Sequence, residues 1–230
     1  MSKISLISGV SYLMIFIFGM YANFVVFESM IDLEDHIFTI TNILNNRLKL
    51  GIGILSFGVM LFFDIVLIPY LFILTKSVSK RISLFASIFR GIHSILFLIA
   101  LLKLWGLYQL QVDKMDSLIL KDVIYVNITD FNKYWTIGLM FFGIHLILLG
   151  YLSIKSFFLS KPIGVLLILS GIAYIFDGTA KFIISDYFNY KYIFETIVVV
   201  FAVIGEFSFT IWLLVYAFKK SSFEFIHNKY

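Results

Sequence analysis

Apolar residues fall into six long runs, roughly 6–28, 52–75, 82–107, 134–154, 162–185 and 193–218, and most of the charge lies between them. Each run is close to the ~20 residues a helix needs to cross a hydrocarbon core of ~30 Å. A membrane β-barrel would instead show strands of about 10 residues that alternate apolar and polar positions. The unbroken runs predict an all-α, polytopic integral membrane protein: a six-helix transmembrane bundle forming a single transmembrane domain over residues 1–230.

The connecting segments are uneven. Residues 76–81 form a short basic turn. In the first outer segment, 29–50, Leu33, Ile37, Ile40, Leu44 and Leu48 recur at spacings of three and four, which predicts an amphipathic helix over about 33–48. It would cap the outer end of the bundle, and Thr39 and Asn42 on another face could close a site as a lid. The second outer segment, 108–133, mixes Asp113, Asp116, Asp122 and Asp130 with three lysines and reads as a solvated loop with some local structure. Aromatic residues at the run ends (Trp105 and Tyr108, Tyr134 and Trp135, Tyr187 to Tyr192, Trp212 and Tyr216) read as interfacial belts.

Within the runs, Pro69 removes a helix hydrogen bond to the Ile65 carbonyl and predicts a kink beside Asp64. Gly164, Gly171 and Gly178 recur every seven residues, a small-residue stripe that lets helix backbones approach. Gly58-Val-Met-Leu-Phe-Phe-Asp64 echoes Gly171-Ile-Ala-Tyr-Ile-Phe-Asp177, which would fit an inverted repeat of two three-helix halves.

Composition agrees with a membrane protein: 61% of the 230 residues are hydrophobic and 14% charged, against about half and a quarter in soluble domains. With no cysteine, disulfides, thiolate metal sites and thiol nucleophiles are excluded. The net charge of +4 is scattered, which gives nucleic-acid binding no support. The N-terminal run is too long for a signal-peptide core and reads as an uncleaved first helix. With the N-terminus inside, cytoplasmic segments hold nine Lys and Arg and outer segments seven. The positive-inside rule then places both termini in the cytoplasm, with the chain in the cytoplasmic (inner) membrane.

Ionisable residues also occur inside the runs. Asp64, Arg90, His93, His145, Asp177 and Glu206 lie 8 to 15 residues from the cytoplasmic edges of five runs, near mid-depth at ~1.5 Å per residue. A charge there costs ~2.5–3.5 kcal/mol on insertion scales, so such residues are candidates for function and should point into the bundle. Asp64 can face Arg90 across the hairpin of runs two and three. Arg90 and His93 share a helix face, and Asp177 can pair with Lys181 four residues on. Glu206 has no local partner, and a carboxyl whose proton affinity is set by a neighbouring base is the usual part of a proton relay.

His93 and His145 at matched depth could ligate a b-type haem, or with a carboxylate a divalent metal. No run carries the H-E-x-x-H or E-x-x-H pattern of defined metal sites, so no cofactor is expected. G-x-S-x-G, P-loop and dinucleotide fingerprints are absent too, and the reading leans away from an enzyme.

Several of these residues stand in a recognisable order: Thr39-x-x-Asn42-Ile43, Asp64-Ile-Val-Leu, Ser83-Leu-Phe-Ala-Ser-Ile-Phe-Arg90, Gly143-Ile-His145-Leu-Ile-Leu-Leu-Gly150-Tyr-Leu with Lys155-Ser156, Pro162-Ile-Gly-Val-Leu-Leu, Gly171-Ile-Ala-Tyr-Ile-Phe-Asp177, and Ile204-Gly-Glu206 before Trp212-Leu-Leu. Over nearly its full length the chain resembles the domain-of-unknown-function 4386 family of polytopic prokaryotic membrane proteins. The resemblance implies six helices and no activity. An acid often stands where this chain has His93, which weakens the two-histidine haem reading. The expectation is a mid-membrane polar site built on Asp64, Arg90, His145 and Glu206 that moves or binds protons or a small solute. A packing-only polar layer is the alternative. Lipid is the expected surrounding, and a second copy of the chain is a candidate partner.

Overall fold

A computed structural model describes residues 2–32, 35–110 and 117–227, the side chains at 36, 117, 118, 188 and 220–227 excepted. Leu33 of the amphipathic stripe, Asp113, Lys114 and Asp116 of the second outer segment, and Lys229 lie outside the described residues. Among the described residues all regular structure is helical: α1 Ser2–Met20, continuing into a wider π-type turn Tyr21–Phe27; α2 His36–Asn45; α3 Arg47–Thr75; α4 Lys80–Tyr108; α5 Ser117–Lys155; α6 Lys161–Ile183; and α7 Tyr187–His227. Six helices are long and apolar enough to cross a membrane, and the protein is a multi-pass, all-α membrane bundle. The 10-residue α2 is too short to span.

Local chemistry sets several helix ends. The Asp35 side chain accepts from the Phe38 N–H at 2.9 Å and starts α2. Asn46 separates α2 from α3, so the predicted amphipathic helix is shorter than 33–48. The spanning helix α3 starts at Arg47 rather than 52, and the Arg47 guanidinium donates to the Tyr108 carbonyl at the end of α4. A cation beside the carbonyl end of a helix is favourable for the neighbouring helix too. Pro69 is accommodated inside α3, which runs through it as one helix.

The second outer segment needs correction. From Ser117 it is helix, the first part of a 39-residue α5, and not a loop. Leu120, Ile124, Ile128 and Phe131 are buried at spacings of four, four and three, one helical face turned to the core. Of the described charges, Lys121, Asp122 and Lys133 are exposed, and Asp130 Oδ2 meets Lys103 Nζ of α4 at 2.8 Å.

The six spanning helices close into a ring in the order α1, α3, α4, α5, α6, α7 and back to α1. Neighbours run antiparallel, as short links at 76–79, 156–160 and 184–186 require. One end of the bundle carries the 76–79 and 156–160 links (the turn end), and the other carries α2 (the cap end). The closest approach is α5 on α6. A Cβ on Gly143 would lie 2.6 Å from the Gly171 carbonyl oxygen, and one on Gly164 2.7 Å from that of Gly150. The glycine stripe thus works from both helices, while Gly178 receives Met140.

The interior has two unlike halves. Toward the cap end, Phe27, Phe57, Phe97, Phe131 and Trp135 stack on one another with ring centroids 4.8–6.1 Å apart. Trp135, expected in an interfacial belt, is turned into this stack instead. Toward the turn end the core is largely aliphatic, with Leu67, Leu71, Leu74, Leu146, Leu149, Leu167 and Leu213 buried. The polar residues lie between the two halves.

Candidate functional site

Arg90, on the inner face of α4, is 1% exposed and is the largest fully buried side chain among the described residues. An arginine so placed stays charged, so its donors need acceptors. Asp64 on α3 supplies two, with Nη2 donating to Oδ1 at 2.6 Å and Nε to the Asp64 carbonyl at 3.4 Å. Tyr12 on α1 and His145 on α5 share Nη1, at 3.1 and 3.0 Å. The guanidinium also lies 5.1 Å from the Tyr12 ring centre and 5.3 Å from that of Phe142, within cation–π range.

Each partner is held in turn. His145 Nδ1 faces the Ala86 carbonyl at 2.8 Å, which accepts only from an N–H. The ring is therefore the neutral Nδ1–H tautomer, and Nε2 offers a lone pair to Arg90. The Ser94 hydroxyl donates to Asp64 Oδ2 and lies 3.0 Å from the Arg90 carbonyl. His93 Nε2 stands 3.9 Å from Asp64 Oδ2. Its Nδ1 is buried without a hydrogen-bond partner, against Gly138, where a Cβ would come within 3.3 Å.

Glu206 on α7 is in the same layer but outside this network. Its carboxylate accepts from the Tyr174 hydroxyl of α6 at 3.1 Å. Ring contacts link the two groups: Phe142 packs edge-on to Tyr174 at 5.6 Å, and Tyr12 edge-on to Phe209 of α7 at 5.5 Å. Every spanning helix thus contributes to one cross-section: Tyr12, Asp64, Arg90, His145, Tyr174 and Glu206. Tyr12, Ser94 and Tyr174 are additions to the residues expected from sequence. Their signal was the same depth count, applied to uncharged hydroxyls.

Asp177 lies elsewhere. Its Oδ2 meets Lys181 Nζ at 2.9 Å, and the Tyr187 hydroxyl donates to its Oδ1 at 2.6 Å, six residues from the cap end of α6. Asp64 and Asp177, matched in the sequence echo, have unlike surroundings, and a Cβ on Gly58 would meet nothing within 4 Å where one on Gly171 would run into Gly143. The expected lid residues are also remote. Thr39 fastens the turn before α2 through the Asp32 N–H and carbonyl, both at 2.7 Å. Asn42 accepts from Asn46 at 3.3 Å, and the aromatic stack separates both from Arg90.

Haem ligation by His145 would cost it either Ala86 or Arg90, since both ring nitrogens are engaged. Among the described residues no group of three or more His, Asp and Glu side chains is gathered to hold a metal ion. What the layer offers chemically is a fixed ion pair and, beside it, one carboxyl with a phenol donor.

The model of a family described as a domain of unknown function (DUF4386) matches residues 7–217, a span that includes every residue of the layer. An uncharacterised protein of Archaeoglobus fulgidus is 29% identical over 163 residues, covering 71% of this chain and 82% of that protein. No solved structure matches the chain.

Proposed function

Since the chain belongs to the DUF4386 family, whose description assigns no activity, we propose from the geometry that it is a proton-coupled transport or binding protein for a small solute. Glu206 is the group that gains and releases the proton. Arg90 and Asp64 are the fixed charges that set its field, and His145 and Tyr12 hold Arg90 in place. The observation that carries this reading is that Glu206 lies beside the ion pair without joining it, hydrogen-bonded to Tyr174 at 3.1 Å. A buried carboxyl committed to an arginine is locked as an anion, whereas one facing a phenol can exist in both forms. The turn end, which carries most of the short basic links, is taken as cytoplasmic.

The test is proton flux into liposomes holding the purified protein, driven by an imposed potential. Wild type should carry flux and Glu206→Gln should reduce it at least about tenfold; equal rates for the two would reject the proposal. A second reading has its own observation. The Asp64–Arg90–His145–Tyr12–Ser94 network is closed on itself, as expected if the layer only fixes which helices meet.

A further inference from the structure

Buried hydroxyls are distributed unevenly about the polar layer. On its turn-end side, Ser5, Ser8, Ser11, Thr75, Ser83, Ser153, Ser156 and Thr210 are all at most 5% exposed. On the cap-end side, among the described residues of the spanning helices, the buried hydroxyls are those of Ser56, which donates to the Ile52 carbonyl at 2.9 Å, Thr136, beside Gly178 of α6, and Tyr187, which donates to Asp177 at 2.6 Å. Several turn-end hydroxyls are satisfied within their own helices: Thr75 donates to Leu71 at 2.7 Å, Ser153 to Leu149 at 2.9 Å and Thr210 to Glu206 at 2.8 Å. Ser5 donates across to the Leu213 carbonyl at 2.8 Å.

Ser8 and Ser83 differ. Both are buried, at 0% and 1% exposed, and neither hydroxyl has a protein partner. Their positions are not random. Ser8 is one helical turn below Tyr12 on α1, and Ser83 is two turns below Arg90 on α4. At 1.5 Å per residue they sit about 6 Å and about 10 Å from the layer, on the faces that bring Tyr12 and Arg90 together. A buried hydroxyl without a protein partner costs free energy unless water supplies the hydrogen bond, and a buried water needs two to four such polar neighbours. The turn-end half sets Ser8 and Ser83 among further buried hydroxyls, whose oxygen lone pairs can also accept. On the cap-end side the buried polar groups are committed, Asp177 to Lys181 and Tyr187 and Ser56 to its own helix, and the aromatic rings reach the layer through His93, which stacks on Phe97 at 6.2 Å.

We infer that the polar layer is hydrated from the turn end alone, through water bound along Ser8 and Ser83, and is sealed toward the cap end by the Phe27–Phe57–Phe97–Phe131–Trp135 stack. This gives the proton site proposed above a single side of access in this conformation. It rests on that proposal for its purpose, but its test reads water and not flux.

The experiment is radiolytic hydroxyl-radical footprinting of the wild-type protein in lipid nanodiscs, which oxidises reactive side chains next to bound water even when they are buried. Tyr12 and His145 should oxidise at least about fivefold faster than Phe57, Phe97 and Trp135. Ser8→Ala with Ser83→Ala, which removes two hydroxyls and no packing volume of note, should lower Tyr12 oxidation several-fold. Protection of Tyr12 and His145 in wild type, equal oxidation of the aromatic stack, or an unchanged Tyr12 rate in the double variant would each overturn the inference. A Glu206→Gln protein that retains the footprint but shows wild-type flux would reject the proton proposal while leaving the hydration route standing.

Discussion

His145 accepts a hydrogen bond from Arg90 through Nε2 at 3.0 Å while its Nδ1 donates to the Ala86 carbonyl at 2.8 Å. One neutral ring thus joins a buried cation on α4 to the backbone one turn earlier on the same helix, and does so from α5. Replacing it with phenylalanine keeps most of the volume but leaves an Arg90 N–H and the Ala86 carbonyl without this partner. Unmade hydrogen bonds to charged groups cost about 1.5–3 kcal/mol. His145→Phe should therefore lower the thermal midpoint of the detergent-solubilised protein by several degrees. A midpoint within a degree of wild type would mean that the ring is dispensable for the network.

Asp64 and Arg90 make a stronger contrast. Their contact is 2.6 Å and both side chains are at most 2% exposed. Asp64→Leu alone strands the guanidinium and should cost about 3–5 kcal/mol, whereas replacing both members of a buried pair by apolar residues is often neutral. Asp64→Leu with Arg90→Met should therefore recover most of the loss, a large coupling in a double-mutant cycle. If the double variant is stable and still carries flux that depends on Glu206, the pair is packing only. If it is stable and flux is gone, the pair acts on Glu206 as proposed.

How much of this was legible beforehand depends on the residue. The six helices follow from run length alone, since a bilayer sets one length for all of them. Asp64 facing Arg90 followed from counting outward along two helices joined by a short turn. Asp177 stands outside the layer because it is about one helical turn beyond Tyr174 toward the cap end of α6, a difference in depth that the uncertain edges of the apolar run conceal. Asp177 is claimed by Lys181 and Tyr187 instead. Tyr12 and Tyr174 carry no formal charge and so do not stand out in an apolar run, although a phenol at mid-depth needs a partner just as a carboxylate does. The start of α5 was hidden by its lysines and aspartates, of which Lys121, Asp122 and Lys133 are exposed while Leu120, Ile124, Ile128 and Phe131 are buried.

Glycine offers a prediction that sequence echo alone would get wrong. Gly58 and Gly171 open matching heptapeptides, yet a Cβ on Gly58 meets nothing within 4 Å while one on Gly171 collides with the Gly143 backbone and Ile147. Alanine at 58 adds helix propensity without contact and should stabilise by up to about 1 kcal/mol. Alanine at 171 must push α5 off α6, and overpacking of this kind costs about 1–3 kcal/mol. Opposite shifts of the two thermal midpoints are expected. Equal shifts would contradict the close α5–α6 contact.

The Tyr187–Asp177 bond should leave a signature in alkaline solution. Tyr187 is buried at the start of α7, and its hydroxyl donates to Asp177 Oδ1 at 2.6 Å. Burial pushes the phenol well above its ordinary value, and the hydrogen bond to the carboxylate pushes it further. The folded chain therefore holds this proton more tightly than the unfolded chain does. The stability so gained is complete below the unfolded phenol's value of about 10 and is lost as pH rises beyond it. At pH about 8, Tyr187→Phe should cost about 1–3 kcal/mol, because Asp177 loses a donor while remaining buried. The gap between wild type and variant should then narrow as pH is raised from about 10 to about 11.5, since only the wild type has this proton to lose. Thermal midpoints of both proteins across that range decide the matter, and a gap that stays constant with pH would show that the hydroxyl does not hold the carboxylate in the folded protein.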